Sequence, residues 1–365
     1  MDGNYLGIGD GRGRVVLAMS GGVDSAVSAV ELVEAGYDVV GLTMKNYCYG
    51  EVDAPERSCC SLEAIDDARA VCGRLGVRHL VVSTEEIFGR EVYDDFLSEY
   101  RAGRTPNPCV RCNSIVRFDT LARYARRLGA ERVATGHYAR VFRAADGRLY
   151  LARSRARAKD QSYFLSGVHG EALERVIFPL GEREKPEVRA AARRAGLEVA
   201  EKPESQEVCF IPGGSLHDFL AGKVAMRPGA IETTGGEVVG CHEGLAAYTV
   251  GQRRGTGVAA GERVYVVALD LARNVLVVGD EEALRARELC CRLAWFDARY
   301  AGDGRSPRAQ IRSRSAAADL EGVRIEGDTA RVTFVEPQRA LAPGQTVAFY
   351  DGDVVVGSGV IDGAA

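Results

Sequence analysis

Two stretches of this chain carry residue types that can do chemistry. Thr105-Pro106-Asn107-Pro108-Cys109-Val110-Arg111-Cys112-Asn113 sets a Cys-x-x-Cys pair on a proline-stiffened loop, and Cys209 follows much later, in "PESQEVCFIP". Persulfide chemistry needs two thiols, one to carry the transferable sulfur and one to attack the S–S bond that holds it. Neighbouring arginines favour the thiolate that such chemistry requires. The second stretch, Ser20-Gly21-Gly22-Val23-Asp24-Ser25, separates a short apolar run, Val15 to Ala18, from a segment in which Ala26, Val27, Val30, Leu32 and Val33 recur at helical spacing. Strand, glycine turn and helix make an anion site, because glycines let backbone N–H groups approach a ligand and the helix N-terminus is partly positive. A Walker A loop needs Lys before its final Ser or Thr, where this chain has Asp24, so the ordinary P-loop reading fails. Asp24 by itself has the ordinary use of a helix cap.

The full string Ser20 to Ser25 resembles the pyrophosphate loop of the N-type ATP pyrophosphatases, enzymes that adenylate a substrate and release pyrophosphate. "AMSGGVDSAV", "GLTMKNY", "GRTPNPCVRCN", "ATGHYAR", "KDQSYFL", "SQEVCFIP" and "YTVGQRRG" then occur in order between Ala18 and Gly255. Together they resemble the bacterial tRNA-specific 2-thiouridylases, which replace the C2 oxygen of the wobble uridine by sulfur. The resemblance implies ATP with Mg2+ at Ala18, Met19, Ser20, Gly21, Gly22, Val23, Asp24, Ser25, Met44 and Gly136. It implies Cys112 and Cys209 as the catalytic pair, with Cys209 bearing the persulfide, and a sulfur-donor protein or sulfide as its source. It also brings Asn107, Pro108, Cys109, Lys159, Asp160 and Gln161 toward tRNA and the target base, with Arg312 and Ser313 contributing from a C-terminal barrel.

One position departs from the commoner family pattern, Asn-Pro-Asp, because Cys109 stands where the Asp would. That supplies a third thiolate, and Cys109, Cys112 and Cys209 resemble the three ligands of a [4Fe–4S] cluster whose open iron could carry sulfide. A zinc site completed by His137 and a neutral replacement of the Asp are the competing readings. His137 itself reads as a loop-fixing hydrogen-bonding residue, and a magnesium role for Asp24 and Asp160 has no support from spacing. Two other functions share parts of this pattern: a pyrophosphate-loop ligase forming an amide bond, which needs no cysteine pair, and an RNA-binding redox or iron sensor, which consumes no ATP.

The elements that must position these residues follow from apolar periodicity. Strands are expected at Val15–Ala18, Tyr37–Thr43, His79–Ser83 and Arg132–Thr135, and helices at Leu62–Leu75, Ile87–Tyr100 and Ile115–Leu128. Alternation of this kind gives an α/β fold, a doubly wound parallel sheet that binds ligands beyond the carboxyl ends of its strands. Residues 1–215 form this adenylating domain. Residues 216–288 read as a small β-rich central domain with a hairpin in Val264 to Asp280 and a helical connector at Glu281 to Glu288, and residues 289–365 as a C-terminal, tRNA-binding β-barrel.

The chain of 365 residues is 46% hydrophobic, enough for two or three compact units. No apolar run is long enough to cross a membrane and "MDGNYLGIGDGRGR" lacks a signal-peptide core, so a cytoplasmic protein is expected. Ten cysteines in such a chain argue for thiol or metal chemistry rather than a disulfide framework, with Cys72 packing in a helix face and Cys241, Cys290 and Cys291 outside the site. The net charge of −4 hides a basic stretch from Tyr100 to Lys159 that includes Arg101, Arg104, Arg111, Arg117, Arg123, Arg126, Arg127, Arg140, Arg143, Arg153, Arg155 and Arg157. It is a candidate surface for RNA phosphates, or a face balanced by acids elsewhere in the fold.

Overall fold

The computed structural model describes residues 1–46, 61–203, 208–211, 215–258, 263–301 and 305–364. Tyr47, Ser205 to Glu207 and Pro212 of the motifs, and Cys48, Cys59 and Cys60, lie outside the described residues. The chain divides into two compact units, one of Met1–Val92, Cys109–Gly213 and Asp353–Val355, the other of Tyr93–Pro108, Gly214–Gly352 and Val356–Ala365.

Strands of the first unit are β1 (Gly3–Leu6), β2 (Arg14–Ala18), β3 (Asp38–Lys45), β4 (Arg78–Ser83), β5 (Arg132–Thr135), β6 (Ala139–Ala144), β7 (Leu149–Arg153) and β8 (Val176–Ile177). The order β4-β3-β2-β5-β8 makes a five-stranded, wholly parallel sheet. Val15, Val16 and Leu17 of its middle strand are 0% exposed, which for side chains of this size contributes roughly 1.5–3 kcal/mol each. The chain runs outward from β2 to β3 and β4, then returns to β5 on the other side, so the strand order reverses between β2 and β5. That reversal is where such sheets open a crevice for a ligand. The helix Val23–Glu34 that leaves β2 is apolar on nearly every face and is buried against the sheet and the helix Lys185–Arg194.

The expected strands and the helix Leu62–Arg74 lie within two residues of the sequence reading. Three features differ. β8 is only two residues long, too short to give a periodicity. An antiparallel ribbon β1-β6-β7 adds to this unit, pinned by Asp353, whose carboxylate takes Arg140 at 3.1 Å and Arg157 at 2.5 Å. The expected cysteine loop is helical from Pro108: an α-turn Pro108–Arg111 runs into a π-helical stretch Cys112–Arg117 and then the helix Phe118–Arg127. Pro108 suits that start, since a proline at the first helical position gives up only an N–H that would be unpaired there.

In the second unit β9 (Gly229–Thr233), β10 (Val238–His242), β11 (Tyr265–Asp270) and β12 (Val275–Gly279) form a four-stranded sheet, β10-β9-β12-β11. The expected hairpin is β11–β12, turning through Asn274 at φ 53°. The expected helical connector is corrected: it is one short turn, Glu282–Leu284, after which β13 (Arg285–Phe296) begins. Extended backbone wins there because Arg285 and Ala286 pair with Arg339 and Gln338, a tertiary gain that overrides local helix preference. With β14 (Arg308–Gln310), β15 (Ala318–Glu326), β16 (Thr329–Arg339), β17 (Thr346–Asp351) and β18 (Val354–Ala364), β13 forms the order β18-β13-β16-β15-β14-β17, closed by pairing of β17 with β18. Val332, Phe334, Val347, Phe349 and Ile361 are 0% exposed and fill this six-stranded barrel.

Candidate active site

At the end of β2 the turn is held open by its own polar groups. Ser25 donates its hydroxyl to the Gly22 carbonyl at 3.0 Å and accepts from the Ser20 N–H at 3.2 Å. Gly21 sits at φ +72°, and a Cβ there would fall 2.2 Å from the Ala64 carbonyl oxygen, so only glycine lets the turn pass the helix Leu62–Arg74. Gly136, just past β5, packs on the turn from the other side; a Cβ would meet the Ser25 nitrogen at 2.8 Å. Gly22 is different. Its φ is −89°, and a Cβ there would meet only the Ser20 hydroxyl, at 3.7 Å. The space over Gly22 is open, and the helix Val23–Glu34 has no side-chain cap, so its first N–H groups face outward for an anion. This is a cradle that fits a pyrophosphate.

Asp24 does not cap the helix. Its carboxylate accepts from the Tyr138 hydroxyl at 2.9 Å and from the Lys185 ammonium at 2.7 and 2.9 Å, while Lys185 also lies 5.7 Å from the Tyr138 ring centroid. Sequence reasoning missed both partners; the one available signal was a lysine opening the helix "KPEVR". Gln161 supports the group from behind: its side-chain oxygen accepts from the Tyr138 N–H and its own N–H donates to the Tyr138 carbonyl, both at 2.9 Å. Asp160 is occupied too, accepting from the Ser154 N–H at 2.9 Å, the Ser162 hydroxyl at 2.7 Å and Arg153 at 3.0 Å. Gln161 is therefore brought to Tyr138, and through it to Asp24 of the turn, while Asp160 is engaged with Ser154, Ser162 and Arg153. Lys159 closes the preceding turn, half-buried.

Met19 and Val23 belong to the core, at 3% and 4% exposure, and offer the turn only their backbone; Met44 is half-buried within β3 rather than beyond it. His137 follows Gly136. A guanidinium can only donate, so Arg117, 3.3 Å from its Nε2, fixes that nitrogen as the acceptor and leaves the proton on Nδ1, which donates to the Thr135 hydroxyl at 2.8 Å. Burial, aided by the Arg117 charge, pushes its pKa down to about 3.

The cysteines are set by well-anchored neighbours. Arg111 donates its Nε to the Glu91 carbonyl, Asn113 donates to the Phe164 carbonyl at 3.0 Å, and Ser114 donates to the Val110 carbonyl at 2.8 Å, which locks the turn carrying Cys109 and Cys112. Cys209 rides a turn closed by the Ile211 N–H on the Val208 carbonyl, and the adjoining Phe210 is buried edge-on against Phe88 at 5.9 Å. All three thiols are half-buried. Among the described residues, no group of three or more His, Cys, Asp and Glu side chains converges to hold a metal ion. Cys109, Cys112 and Cys209 thus lack the convergence that a cluster or a zinc ion demands. Cys72, expected in the core, is 0% exposed, and burial raises its thiol to about 11.

Much of the basic stretch is spent internally. Arg104 pairs with Glu99, Arg111 with Glu91, Arg140 and Arg157 with Asp353, and Arg153 with Asp160, so for these residues the balanced-face reading holds. Arg123, Arg126 and Arg127 stay exposed on the helix Phe118–Arg127, with Arg123 and Arg127 at 5.6 and 5.5 Å from the Tyr124 ring centroid. In the second unit Arg312 donates to the carbonyls of Arg339 and Ala340, and Ser313 is exposed beside it. Asn107 is half-buried and Pro108 buried.

Residues 13–213 match the family model described as tRNA methyl transferase HUP domain, residues 217–280 its PRC-barrel domain and residues 289–361 the aminomethyltransferase beta-barrel domain. The chain is 47% identical to the tRNA-specific 2-thiouridylase of Geobacter metallireducens over 97% of its own length and 98% of the relative's. It is 46% identical to that of Heliobacterium modesticaldum, covering 95% and 92%, and 44% identical to that of Aquifex aeolicus, covering 96% and 99%. The chain belongs to the tRNA-specific 2-thiouridylase family. The resemblance carried by the seven motifs thus extends across almost the whole chain, and the α/β domain, central β-rich domain and closed barrel are this 2-thiouridylase's architecture.

The geometry yields two predictions. Gly21→Ala forces an αL backbone and a backbone clash, and is expected to lower stability by roughly 1–3 kcal/mol, whereas Gly22→Ala leaves the thermal midpoint near wild type; thermal melts of the two proteins compare them directly. His137, whose ordinary pKa is 6.5, binds a proton in the unfolded chain before it does in the native one. Its contribution to stability is therefore present above about pH 6.5 and is lost as pH falls toward 3. In denaturant titrations across that window His137→Gln should show a shallower loss of stability than wild type.

Proposed function

We propose that this protein catalyses ATP-dependent 2-thiolation of the wobble uridine of tRNA, with adenylation at Ser20–Ser25 and sulfur delivery by Cys112 and Cys209. The observation that carries the reading is the open space over Gly22 before an uncapped helix N-terminus, in the same compact unit as the two cysteines. Family membership supports tRNA as the substrate, since the relatives are named for acting on it.

In this mechanism the backbone of Ser20 to Ser25 and the Lys185 ammonium receive the β- and γ-phosphates of ATP, with its Mg2+. Ala18, Met44 and Gly136 lie around the nucleotide. The uridine C2 oxygen attacks the α-phosphorus and pyrophosphate departs into the cradle, which turns a poor leaving group into AMP. The terminal sulfur of a Cys209 persulfide, charged beforehand by sulfur transfer from a donor protein that itself carries a persulfide, attacks C2 and AMP leaves. Cys112 thiolate then attacks Cys209 Sγ, forming a Cys112–Cys209 disulfide and freeing the 2-thiouridine; an external dithiol reduces the disulfide for the next turnover. Among the described residues Cys109, Cys112 and Cys209 do not converge as [4Fe–4S] ligands would, and the sulfur is carried by the cysteine relay alone. Cys109, at the position of the family's Asp, is assigned with Asn107, Pro108 and Lys159 to the target base, which must leave the anticodon stack to react. Gln161 acts through Tyr138, Asp160 orders the turn before it by accepting from Ser154, Ser162 and Arg153, and Arg312 shapes the turn that offers Ser313 to RNA.

tRNA-dependent pyrophosphate release, measured beside 2-thiouridine formation, tests this. Cys112→Ser and Cys209→Ser should abolish thiouridine while pyrophosphate release continues, and Gly22→Val should stop both with the fold intact. Thiouridine formation by the Cys209→Ser protein would rule out the relay, and pyrophosphate release independent of tRNA would favour a ligase. The exposed helix face supplies a further expectation. Replacing Arg123, Arg126 and Arg127 by Gln should weaken tRNA binding and flatten the slope of log K against log salt by about 2–3; an unchanged slope would remove this face from the RNA contact.

A further inference from the structure

The motif "YTVGQRRG" and the start of the cysteine segment meet within the second unit, far from each other in sequence. All three polar groups of Thr105 are engaged there. Its N–H donates to the Pro343 carbonyl at 2.7 Å, its carbonyl accepts from the Gln345 side-chain amide at 2.7 Å, and its hydroxyl donates to the Thr249 hydroxyl at 3.0 Å. Thr249 is buttressed in turn, its N–H donating to the Gln252 side-chain oxygen at 3.1 Å and its carbonyl accepting from the Gln252 N–H at 2.9 Å. The preceding Arg104 is pinned between Glu99 at 2.7 Å and Asp362 of β18 at 3.1 Å. Barrel residues and the Thr249–Gln252 turn thus grip one point of the chain from several sides.

Between that point and Cys109 stand only Pro106, Asn107 and Pro108. Each proline fixes its φ and restricts the residue before it, so Thr105 and Asn107 are stiffened as well. This three-residue tether, four Cα steps from Thr105 to Cys109, reaches at most about 14 Å, and it passes directly into the helical turn that carries Cys109 and Cys112. A displacement of Thr105 therefore travels along a short rod to the thiols, where a flexible linker would absorb it.

We infer that Thr105 is a positioning residue for sulfur transfer, through which Gln345, Thr249 and the barrel fix where the cysteine segment begins. The inference rests on the thiolation reading for its role in the reaction. Its effect is specific to the sulfur step, because the pyrophosphate cradle is built by Ser20 to Ser25, Gly136 and Lys185 and draws on none of these residues.

The test uses the full chain with Thr105→Val, which keeps the branched shape and removes the hydroxyl, Gln345→Ala, and the conservative Thr105→Ser. In Thr105→Val and Gln345→Ala the 2-thiouridine formed per pyrophosphate released should fall about ten- to a hundredfold, the scale of a small misplacement of reacting groups. Pyrophosphate release and the thermal midpoint should stay near wild type, and Thr105→Ser should restore the coupling. Alkylation of the thiols by iodoacetamide without ATP or tRNA, read by peptide mapping, gives an independent measure: rates at Cys109 and Cys112 should change severalfold and that at Cys209 should not. Unchanged coupling with unchanged alkylation overturns the inference, as does a parallel loss of both activities that tracks a lowered thermal midpoint. Should wild-type protein release no pyrophosphate and make no thiouridine, the proposed function fails, and the alkylation rates still decide whether Thr105 places the thiols.

Discussion

The first unit is organised around one demand: the six-residue stretch Ser20–Ser25 must keep its N–H groups pointing outward while packing tightly on its inner side. Backbone donors left unpaired in a buried turn are costly, so the sheet supplies the compromise. β2 and β5 bring Ser20–Ser25 and Gly136 together at the reversal of strand order, two glycines remove the side chains that would collide, and Ser25 satisfies the inner groups. What remains is an outward face with a positive bias and no side chain over Gly22. Lys185 and Tyr138 then fix Asp24, so the first turn of the helix has one position. Gln161 of the motif Lys159-Asp160-Gln161 serves this arrangement by holding the backbone of Tyr138.

The parallel sheet was legible because its inner strands β2 and β3 carry continuous apolar runs, the pattern of a strand buried on both faces. The turn was legible because its glycines and serines are contiguous. Features assembled from distant stretches were not. Tyr138 and Lys185 stand 114 and 161 positions from Asp24, and no local pattern announces that they share its carboxylate. β8 has two residues, and the start of β13 is written in residues that suit a helix until β16 pairs with them.

Charge was the least legible property. A run of arginines looks alike in sequence whether it faces solvent or is consumed by carboxylates, and here several are neutralised, by Glu91, Glu99 and Asp160 just outside the stretch and by Asp353 far along the chain. The three thiols raise a similar issue. Their number suggested a cluster, but ligation depends on convergence, and spacing along the chain does not report it when one member lies on a helical turn's end and another on a remote turn.

The grip on Thr105 also has a consequence for how the chain is made. Gln345 lies 240 positions beyond Thr105, which at about 5–20 residues per second is some tens of seconds of synthesis. The segment Tyr93–Pro108 therefore leaves the ribosome long before the barrel that holds it exists. Phe96, Leu97 and Tyr100, buried in the finished protein and at 2%, 7% and 5% exposure, wait until Phe219 and the later strands arrive. Nascent chains of this protein carry an apolar segment that lacks its partners for at least a third of translation, which makes that segment a natural holding point for a chaperone and an aggregation hazard in a prematurely terminated chain.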